Sequence, residues 1–210
     1  MPRPPSPLTR RVALDRPESW LGVVPEAAAV LAAGEIALLP AEGLYGYHVR
    51  ADLPEALARL QSVKPREPGR GWIVLLAEPR IPAAWGTPLT RKAADLAGVH
   101  WPGPLTLVVP APAGLPADLL ASDGTVAIRC PGSEFLRAVV AAAGGPLVTT
   151  SANRPGEAPP REFEAADREG VAVAVDGGTL SGLPSTVVRV DGSTVRVLRS
   201  GALSVEGEGP

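Results

Sequence analysis

The segment TVAIRCPGSEFLRAVVAAAGGPLVTTSAN, residues 125–153, places a helical pattern between two short apolar runs. The apolar runs, residues 125–129 and 147–150, predict buried strands. Residues 134–143, which lie between them, predict a helix. A strand–helix–strand order is typical of an α/β domain, in which helices cover a sheet.

The same alternation continues on both sides of this segment. Helices are predicted over 25–33, 54–64, 89–97 and about 162–168, and strands over 36–40, 72–76, 105–109, 171–175, 185–190 and 194–199. Asp191-Gly192 is a hairpin signal between the last two strands, whereas residues 42–46 predict a loop. Uninterrupted apolar strands such as WIVLL (72–76) indicate burial on both faces of the sheet. The expected architecture is one α/β domain with a mixed sheet.

Length and composition narrow the class of protein. The 210 residues correspond to one domain, predicted over 20–203, with flexible tails at 1–19 and 204–210. One cysteine and two histidines exclude a disulfide framework, a cysteine-based zinc site and a histidine-rich metal centre. A net charge of −2 argues against strong non-specific attraction to nucleic acid. The sequence has no signal-peptide pattern and no apolar run of about 18 residues, so we expect a cytoplasmic protein without membrane contact.

The densest polar cluster is KPREPGRG, residues 64–71, between a predicted helix and a predicted strand. Its three cations, Lys64, Arg66 and Arg70, suit a loop that folds over a polyanion such as a triphosphate, because arginine binds phosphate bidentately and lysine adds a point charge. The alternative is a solvated basic loop. Lys64 is one of only two lysines in the chain, which favours a function for it.

Two further polar clusters follow strands. TTSAN (149–153) contains the only asparagine of the chain, and PAEGLYG (40–46) contains Glu42. The carboxyl ends of strands are the usual location of ligand sites in α/β sheets. The alternatives are a Ser/Thr or Asx turn at 149–153 and a Glu42 carboxylate that only binds nearby backbone.

A cysteine–histidine nucleophile pair is the weakest of the candidate sites. Cys130 follows an apolar strand, and His48 and His100 are distant from it in sequence. We therefore interpret Cys130 as a small buried thiol. The chain contains neither a Gly-x-Gly-x-x-Gly pattern nor a Walker pattern.

Taken together, these segments resemble the YrdC/TsaC family of threonylcarbamoyl-AMP synthases, in its single-domain bacterial form. The matching segments, which occur in family order, are PAEGLYG (40–46), Lys64-Pro65-Arg66, WPGPLT (101–106), TVAIR (125–129), Ser151-Ala152-Asn153, Ser185-Thr186-Val187 and Arg199-Ser200-Gly201. The resemblance implies a twisted open α/β sheet, similar to the dihydroxybutanone-phosphate synthase fold, with a positively lined cavity.

The resemblance also implies a reaction. L-threonine, bicarbonate and ATP would give threonylcarbamoyl-AMP and pyrophosphate, with Mg²⁺ as the expected metal. A tRNA threonylcarbamoyltransferase complex would then transfer the threonylcarbamoyl group to adenosine 37 of tRNA, and direct RNA contact is a further expectation.

Site residues follow from the matched motifs. Lys64 and Arg66 are the expected catalytic residues. The residues expected to bind ATP are Lys64, Arg66, Arg70, Thr125, Ser151, Asn153 and Arg199. Those expected to bind threonine are Gly43, Arg129, Thr149 and Ser185, with Arg129 on a carboxylate.

The sequence departs from the family pattern at Ala41, Gly43, His48, Glu67 and Leu75. The departures at 41, 43, 48 and 67 motivate a second hypothesis, a divergent paralogue with another nucleotide or carbamoyl-type reaction. A third hypothesis is a non-catalytic RNA-binding module that uses the basic residues.

Overall fold

The computed structural model describes residues 8–67, 69–86, 88–154, 156–166 and 169–209. The helices are α1 (Val23–Ala32), α2 (Pro54–Val63), α3 (Arg91–His100) and α4 (Glu134–Ala142). The strands are β1 (Leu8–Arg11), β2 (Ile36–Ala41), β3 (Leu44–Arg50), β4 (Ile73–Leu75), β5 (Leu105–Pro110), β6 (Thr125–Arg129), β7 (Leu147–Ser151), β8 (Val171–Asp176), β9 (Thr186–Asp191) and β10 (Thr194–Arg199).

All ten strands form one sheet in the order β1-β8-β2-β3-β7-β4-β6-β5-β9-β10. The pairs β1–β8, β8–β2, β4–β6 and β5–β9 are parallel, and the other five are antiparallel. The predicted α/β class with a single mixed sheet is therefore confirmed.

Helices cover both faces of the sheet. Along β2, Ile36 and Leu38 belong to the core shared with α2 and α3, whereas Ala37 and Leu39 belong to the core shared with α1 and α4. Successive side chains of a strand point to opposite faces. An unbroken apolar run such as IALLP is therefore what a strand covered on both faces requires, and this confirms the prediction of burial on both faces.

The loop predicted over 42–46 is wrong beyond Gly43. Only Glu42 and Gly43 separate β2 from β3, and β3 continues to Arg50. Tyr45, Tyr47 and Val49 are buried at every second position. Gly46 and His48, which lie between them, concealed this strand period in the sequence.

The helix predicted near 162–168 is also wrong in its described part. Residues 162–166 form bends and turns, and residues 167–168 lie outside the described residues. The apolar residues there, Phe163 and Ala166, contribute to the core from this irregular segment.

Residues of both predicted tails pair with the sheet. β1 pairs with β8 in parallel, and Val12 and Trp20 are buried. Glu208 exchanges backbone hydrogen bonds with the edge of β10, through the Val195 carbonyl and the Val197 amide. A segment that pairs with a sheet edge satisfies its backbone polar groups there. The division into a domain over 20–203 and flexible tails at 1–19 and 204–210 stays a prediction.

Substitution of Trp20 tests this packing of the N-terminal segment. Its indole stacks edge-on against Phe135 at 5.8 Å and donates to the Ala13 carbonyl at 3.2 Å. Trp20→Phe should lower the free energy of unfolding by about 1–2 kcal/mol, through a partial cavity and a lost hydrogen bond. Chemical denaturation measures this change. The matched control is Leu21→Ala, since Leu21 is 74% exposed and should change stability by less than about 0.5 kcal/mol. Equal stability of both variants would contradict a packed N-terminal segment.

Candidate functional site

The lysine of the basic loop and the polar segment after β7 meet in the structure. The Lys64 ammonium, at the C-terminal end of α2, donates to the Asn153 carbonyl and to Asn153 Oδ1. Ser151 Oγ donates to the same Oδ1 at 2.6 Å. The first two clusters found in the sequence therefore form one polar network, although 89 residues separate Lys64 from Asn153.

The basic loop is attached to the body of the domain. The Arg66 guanidinium stacks on the Trp72 ring at 4.5 Å and donates to the Gly71 carbonyl at 3.1 Å. The Ser122 amide donates to the Gly69 carbonyl at 2.9 Å. A Cβ on Gly71 would lie 2.7 Å from the Ala121 amide nitrogen, so this close approach of two backbones requires glycine.

Three guanidinium groups converge at this loop. Burial, followed by the charges of Arg70 and Arg199, lowers the pKa of Arg66 to about 10. Burial and the charge of Arg70 also lower the pKa of Arg199. Neighbouring positive charges repel each other and so lower each other's pKa. A bound anion would reduce this repulsion, and the cluster therefore favours anion binding. The cluster of Arg66, Arg70 and Arg199 is thus suited to a polyanion, in a chain of net charge −2.

Arg199 is oriented by Ser185 at the entrance to β9. Its Nη2 donates to the Ser185 carbonyl and to Ser185 Oγ, both at 2.9 Å. Ser185 Oγ also lies 2.8 Å from Thr106 Oγ1 in β5. A guanidinium can only donate, so the Ser185 hydroxyl accepts from Arg199 and can donate to Thr106.

Arg129, at the end of β6, forms a second cationic centre. Its guanidinium pairs with the Glu42 carboxylate, and its Nε donates to the Gly103 carbonyl at 3.0 Å. Burial and then the charge of Arg199 lower the pKa of Arg129 to about 10. The guanidinium predicted to hold a carboxylate does face one, but in this structure the carboxylate belongs to the protein.

Glu42 is held by an unusual backbone conformation. Its φ angle is 60°, and the Gly43 amide donates to the Ala41 carbonyl at 2.9 Å across it. A hydrogen bond between residues i and i+2 around a positive φ is the rare γ-turn geometry. Glu42 Oε1 also accepts from the Gly132 amide at 2.7 Å. Strained residues of this kind concentrate at functional sites.

A cavity of about 590 Å³ adjoins Glu42. Residues 102–104 and 132–134 form two of its walls. Because Glu42 both lines this cavity and pairs with Arg129, open space reaches the Arg129–Glu42 pair. A second cavity, of about 500 Å³ between residues 76–83 and 140–146, contains none of the predicted site residues in its walls.

Gly43 lies beneath the segment that leads to Ser185. Its carbonyl accepts from the Gly182 amide at 2.8 Å, and a Cβ at Gly43 would lie 1.8 Å from the Leu183 carbonyl oxygen. Any side chain at this position would displace residues 182–183. Gly43 therefore supports the segment that carries Ser185, and its direct contact with threonine stays a prediction.

Strand register places four predicted residues on one face of the sheet. Thr149 and Ser151 are two residues apart in β7 and therefore share a face of the sheet. Thr125 and Arg129 lie on the same face of β6, with β4 between the two strands. Thr125 donates to Asp123 Oδ1 at 2.6 Å. This bond and then the bond from Arg189 lower the pKa of Asp123 to about 2.

From the sequence, His48 is a departure from the family pattern and a histidine distant from Cys130, and the sequence predicts no role for His48 in the site. It is fully buried in β3, with Nδ1 2.9 Å from the Gly46 carbonyl and Nε2 3.1 Å from Thr149 Oγ1. Burial lowers its pKa to about 4, against the opposing effect of the Gly46 and Ala37 carbonyls. A histidine isolated within a strand of aromatic and aliphatic residues was the sequence signal for this site.

Cys130 is fully buried, and burial raises the pKa of its thiol to about 11. A thiol with this pKa is protonated at neutral pH and is a poor nucleophile. Cys130→Ser should therefore leave turnover within about twofold, while burial of a hydroxyl lowers the free energy of unfolding by about 1–3 kcal/mol. Steady-state kinetics measure the turnover, at a temperature where the variant is folded, and chemical denaturation measures the free energy of unfolding. Complete loss of turnover in a folded variant would contradict the interpretation.

Two further features bear on the class of site. Within the described ranges, no three His, Cys, Asp or Glu side chains are grouped as metal ligands. None of the described helices is long and apolar enough to cross a membrane.

Comparison with known proteins gives consistent matches. Residues 29–201 match the Sua5/YciO/YrdC family model, whose description reads "Telomere recombination". The threonylcarbamoyl-AMP synthase of Chromohalobacter salexigens is 35% identical over 182 residues, which cover 85% of this chain and 94% of the relative. The enzyme of the same name from Bacillus subtilis is 33% identical over 188 residues, 87% of this chain and 54% of the relative.

Solved structures agree in fold. P. abyssi Sua5, in complex with L-threonine, superposes with a TM-score of 0.85 at 28% identity, over 93% of this chain and 58% of the Sua5 chain. The chain thus spans little more than half of that protein. E. coli YciO superposes with a TM-score of 0.83 at 20% identity, over 95% of this chain and 98% of YciO, a likeness of fold alone.

Proposed function

The chain belongs to the Sua5/YciO/YrdC family, and from this premise we propose that it is an L-threonylcarbamoyladenylate synthase. It takes L-threonine, bicarbonate and ATP and releases threonylcarbamoyl-AMP and pyrophosphate. The relatives named threonylcarbamoyl-AMP synthase and the threonine complex of P. abyssi Sua5 support this substrate class.

The observation that carries the proposal is the presence of two cationic centres side by side. Arg66, Arg70 and Arg199 form a cluster suited to the triphosphate, and Arg129 is close enough to Arg199 for the charge of Arg199 to lower its pKa. Arg129 is suited to a carboxylate, as its pairing with Glu42 illustrates. A reaction between a carboxylate-bearing substrate and a nucleoside triphosphate requires two anion sites that adjoin in this way.

The chemistry needs positioning more than a protein nucleophile. The threonine amine and bicarbonate form a carbamate with loss of water. A carbamate oxygen then attacks the α-phosphorus of ATP, a P–O bond forms, and the bond to pyrophosphate breaks. Bringing two anions together costs electrostatic free energy, so fixed cations and orientation supply the catalysis.

Within this proposal the polar groups have distinct roles. Lys64 and Arg66 neutralise charge on the phosphates as the transition state forms, and both are held by groups of the protein, Asn153 and Trp72. The other groups proposed to bind ATP are Arg70, Thr125, Ser151, Asn153 and Arg199. Arg129, Thr149 and Ser185 hold the threonine end.

Mg²⁺, a tRNA threonylcarbamoyltransferase and tRNA are the further partners of the proposed reaction. The described residues offer no group of three metal ligands, so Mg²⁺ would accompany the phosphates of ATP and no step is assigned to it. The product would pass to a tRNA threonylcarbamoyltransferase complex in the cytoplasm. Direct contact with tRNA would use the same basic residues.

Pyrophosphate release tests the proposed function. The assay contains ATP and bicarbonate, with L-threonine, with L-serine, or with no amino acid. We expect release that depends on threonine and is much lower with serine. ATP binding without threonine-dependent release would instead favour a paralogue with another acceptor. Tight, salt-sensitive RNA binding without nucleotide turnover would favour an RNA-binding module.

A further inference from the structure

We propose that His48 is a positioning residue that fixes the Thr149 hydroxyl as a hydrogen-bond acceptor towards the amino-acid substrate. This inference rests on the proposed function and specifies how the threonine end of the site recognises its substrate. It concerns a residue at which the chain departs from the family pattern, where a glycine is expected.

The tautomer of His48 follows from the two groups within hydrogen-bond distance of its ring nitrogens, the Gly46 carbonyl and the Thr149 hydroxyl. The Ala37 carbonyl also faces the ring and favours a hydrogen on it. Nδ1 lies 2.9 Å from the Gly46 carbonyl oxygen, which can only accept. Nδ1 therefore carries the hydrogen, since two lone pairs would otherwise face each other in a buried place. The ring is neutral because burial lowers its pKa to about 4. Nε2 is then left with a lone pair and no hydrogen.

The tautomer determines the direction of the next hydrogen bond. Thr149 Oγ1 lies 3.1 Å from His48 Nε2, so the hydroxyl donates and the imidazole accepts. A hydroxyl has only one hydrogen. With that hydrogen committed to His48, Thr149 Oγ1 offers only lone pairs to a ligand. His48 is fully buried and Thr149 is partly exposed, so Thr149 is accessible to a ligand and the imidazole is not.

An acceptor at Thr149 selects the chemistry of its ligand. A carboxylate or a phosphate would meet lone pair against lone pair there, whereas an N–H or O–H of the amino-acid substrate would be bound. The substrate carboxylate is therefore directed to Arg129. These two positions lie on the same face of the sheet, two strands and two residues apart by register. Their Cα atoms are thus separated by roughly 12 Å, a distance that one small amino acid together with the Arg129 side chain can span.

Steady-state kinetics of matched variants test the proposal. In His48→Phe, which replaces the imidazole by a slightly larger apolar ring, the Thr149 hydroxyl loses its acceptor and is free to rotate. KM for L-threonine should then rise about tenfold, the effect of roughly one hydrogen bond, while KM for ATP stays within twofold. Thr149→Val should raise KM for threonine similarly, and the His48→Phe/Thr149→Val double variant should be no worse than Thr149→Val alone.

Tyr47→Phe is the matched control. Tyr47 is the neighbouring buried residue of β3, and its side chain belongs to the opposite core. Its substitution should change neither KM. Additive effects of His48→Phe and Thr149→Val, or equal increases in both KM values for His48→Phe, would overturn the proposal. Absence of threonine-dependent pyrophosphate release in the unmodified protein would instead refute the proposed function.

A spectroscopic measurement on the unmodified protein covers the case in which a variant does not fold. ¹⁵N NMR of the imidazoles distinguishes a protonated ring nitrogen from an unprotonated one. The chain has two histidines, and His100→Gln identifies the signals of His48. We expect a protonated Nδ1 and an unprotonated Nε2. The opposite tautomer would overturn the inference, because Thr149 would then accept from His48 and have its hydrogen available for the ligand.

Discussion

Replacement of Lys64 by alanine should lower kcat/KM about 30- to 1,000-fold, a loss of about 2–4 kcal/mol of transition-state stabilisation. Arg66→Ala should cause a loss of the same order. Both cations are proposed to meet the phosphates of ATP, where negative charge shifts towards the departing pyrophosphate. A preorganised cation stabilises that charge without the reorganisation that water requires.

The structure explains why these two cations should act from fixed positions. Two oxygens of Asn153 accept from the Lys64 ammonium, and Ser151 in turn orients Asn153. The Arg66 guanidinium lies over the Trp72 ring, with its carbon 4.5 Å from the ring centroid. Positions set in this way make the loss on truncation larger than that of a mobile surface charge, which is typically below about 1 kcal/mol.

Lys92→Ala is the matched control for Lys64→Ala. Lys92, the only other lysine of the chain, is exposed near the start of α3. Its removal should change kcat/KM by less than about twofold. Wild-type rates in both Lys64→Ala and Arg66→Ala would contradict the assignment of this loop to the phosphates.

Arg129→Leu should lower kcat/KM for L-threonine about 100-fold or more, since loss of one partner from a buried charge pair costs about 3 kcal/mol or more. Arg129 is buried, and its Nε bond to Gly103 sets the direction of the guanidinium. Binding measurements on Arg129→Leu should show a large loss of affinity for L-threonine and a much smaller loss of affinity for ATP.

The stability of Arg129→Leu must be measured separately, because the substitution leaves Glu42 without its cation. Addition of Glu42→Gln should restore part of the lost stability, since a neutral amide costs less to bury than an unpaired carboxylate. It should not restore activity. Arg10→Ala, which removes a partly exposed ion pair with Glu26, is the control and should leave activity unchanged. Full activity of folded Arg129→Leu would exclude Arg129 as the carboxylate anchor.

Much of the fold could be predicted because most of its strands and helices are encoded in local patterns of apolar and polar residues. The runs at 36–40, 105–109, 125–129 and 194–199 became strands close to their expected bounds. The helix predicted at 89–97 lies at 91–100, because the Thr90 side chain caps its start by accepting from the Ala93 amide. β3 was missed, since Gly46 and His48 have little strand propensity. β1 was missed because the pairing that stabilises it comes from β8, more than 160 residues away.

The sequence by itself determined the alternation of strands and helices, the order of the motifs, and the identity of the cations Lys64, Arg66, Arg129 and Arg199. These properties depend on side-chain period and residue chemistry within short segments. Only the tertiary structure decided which groups face each other: Lys64 and Asn153, Arg129 and Glu42, Gly43 and Leu183, and His48 and Thr149. The physical reason is that each of these contacts joins segments distant in sequence, and its geometry is set by strand register and by burial. Register and burial also determine what each group can bind, because they fix the tautomer of His48 and the partner of Arg129.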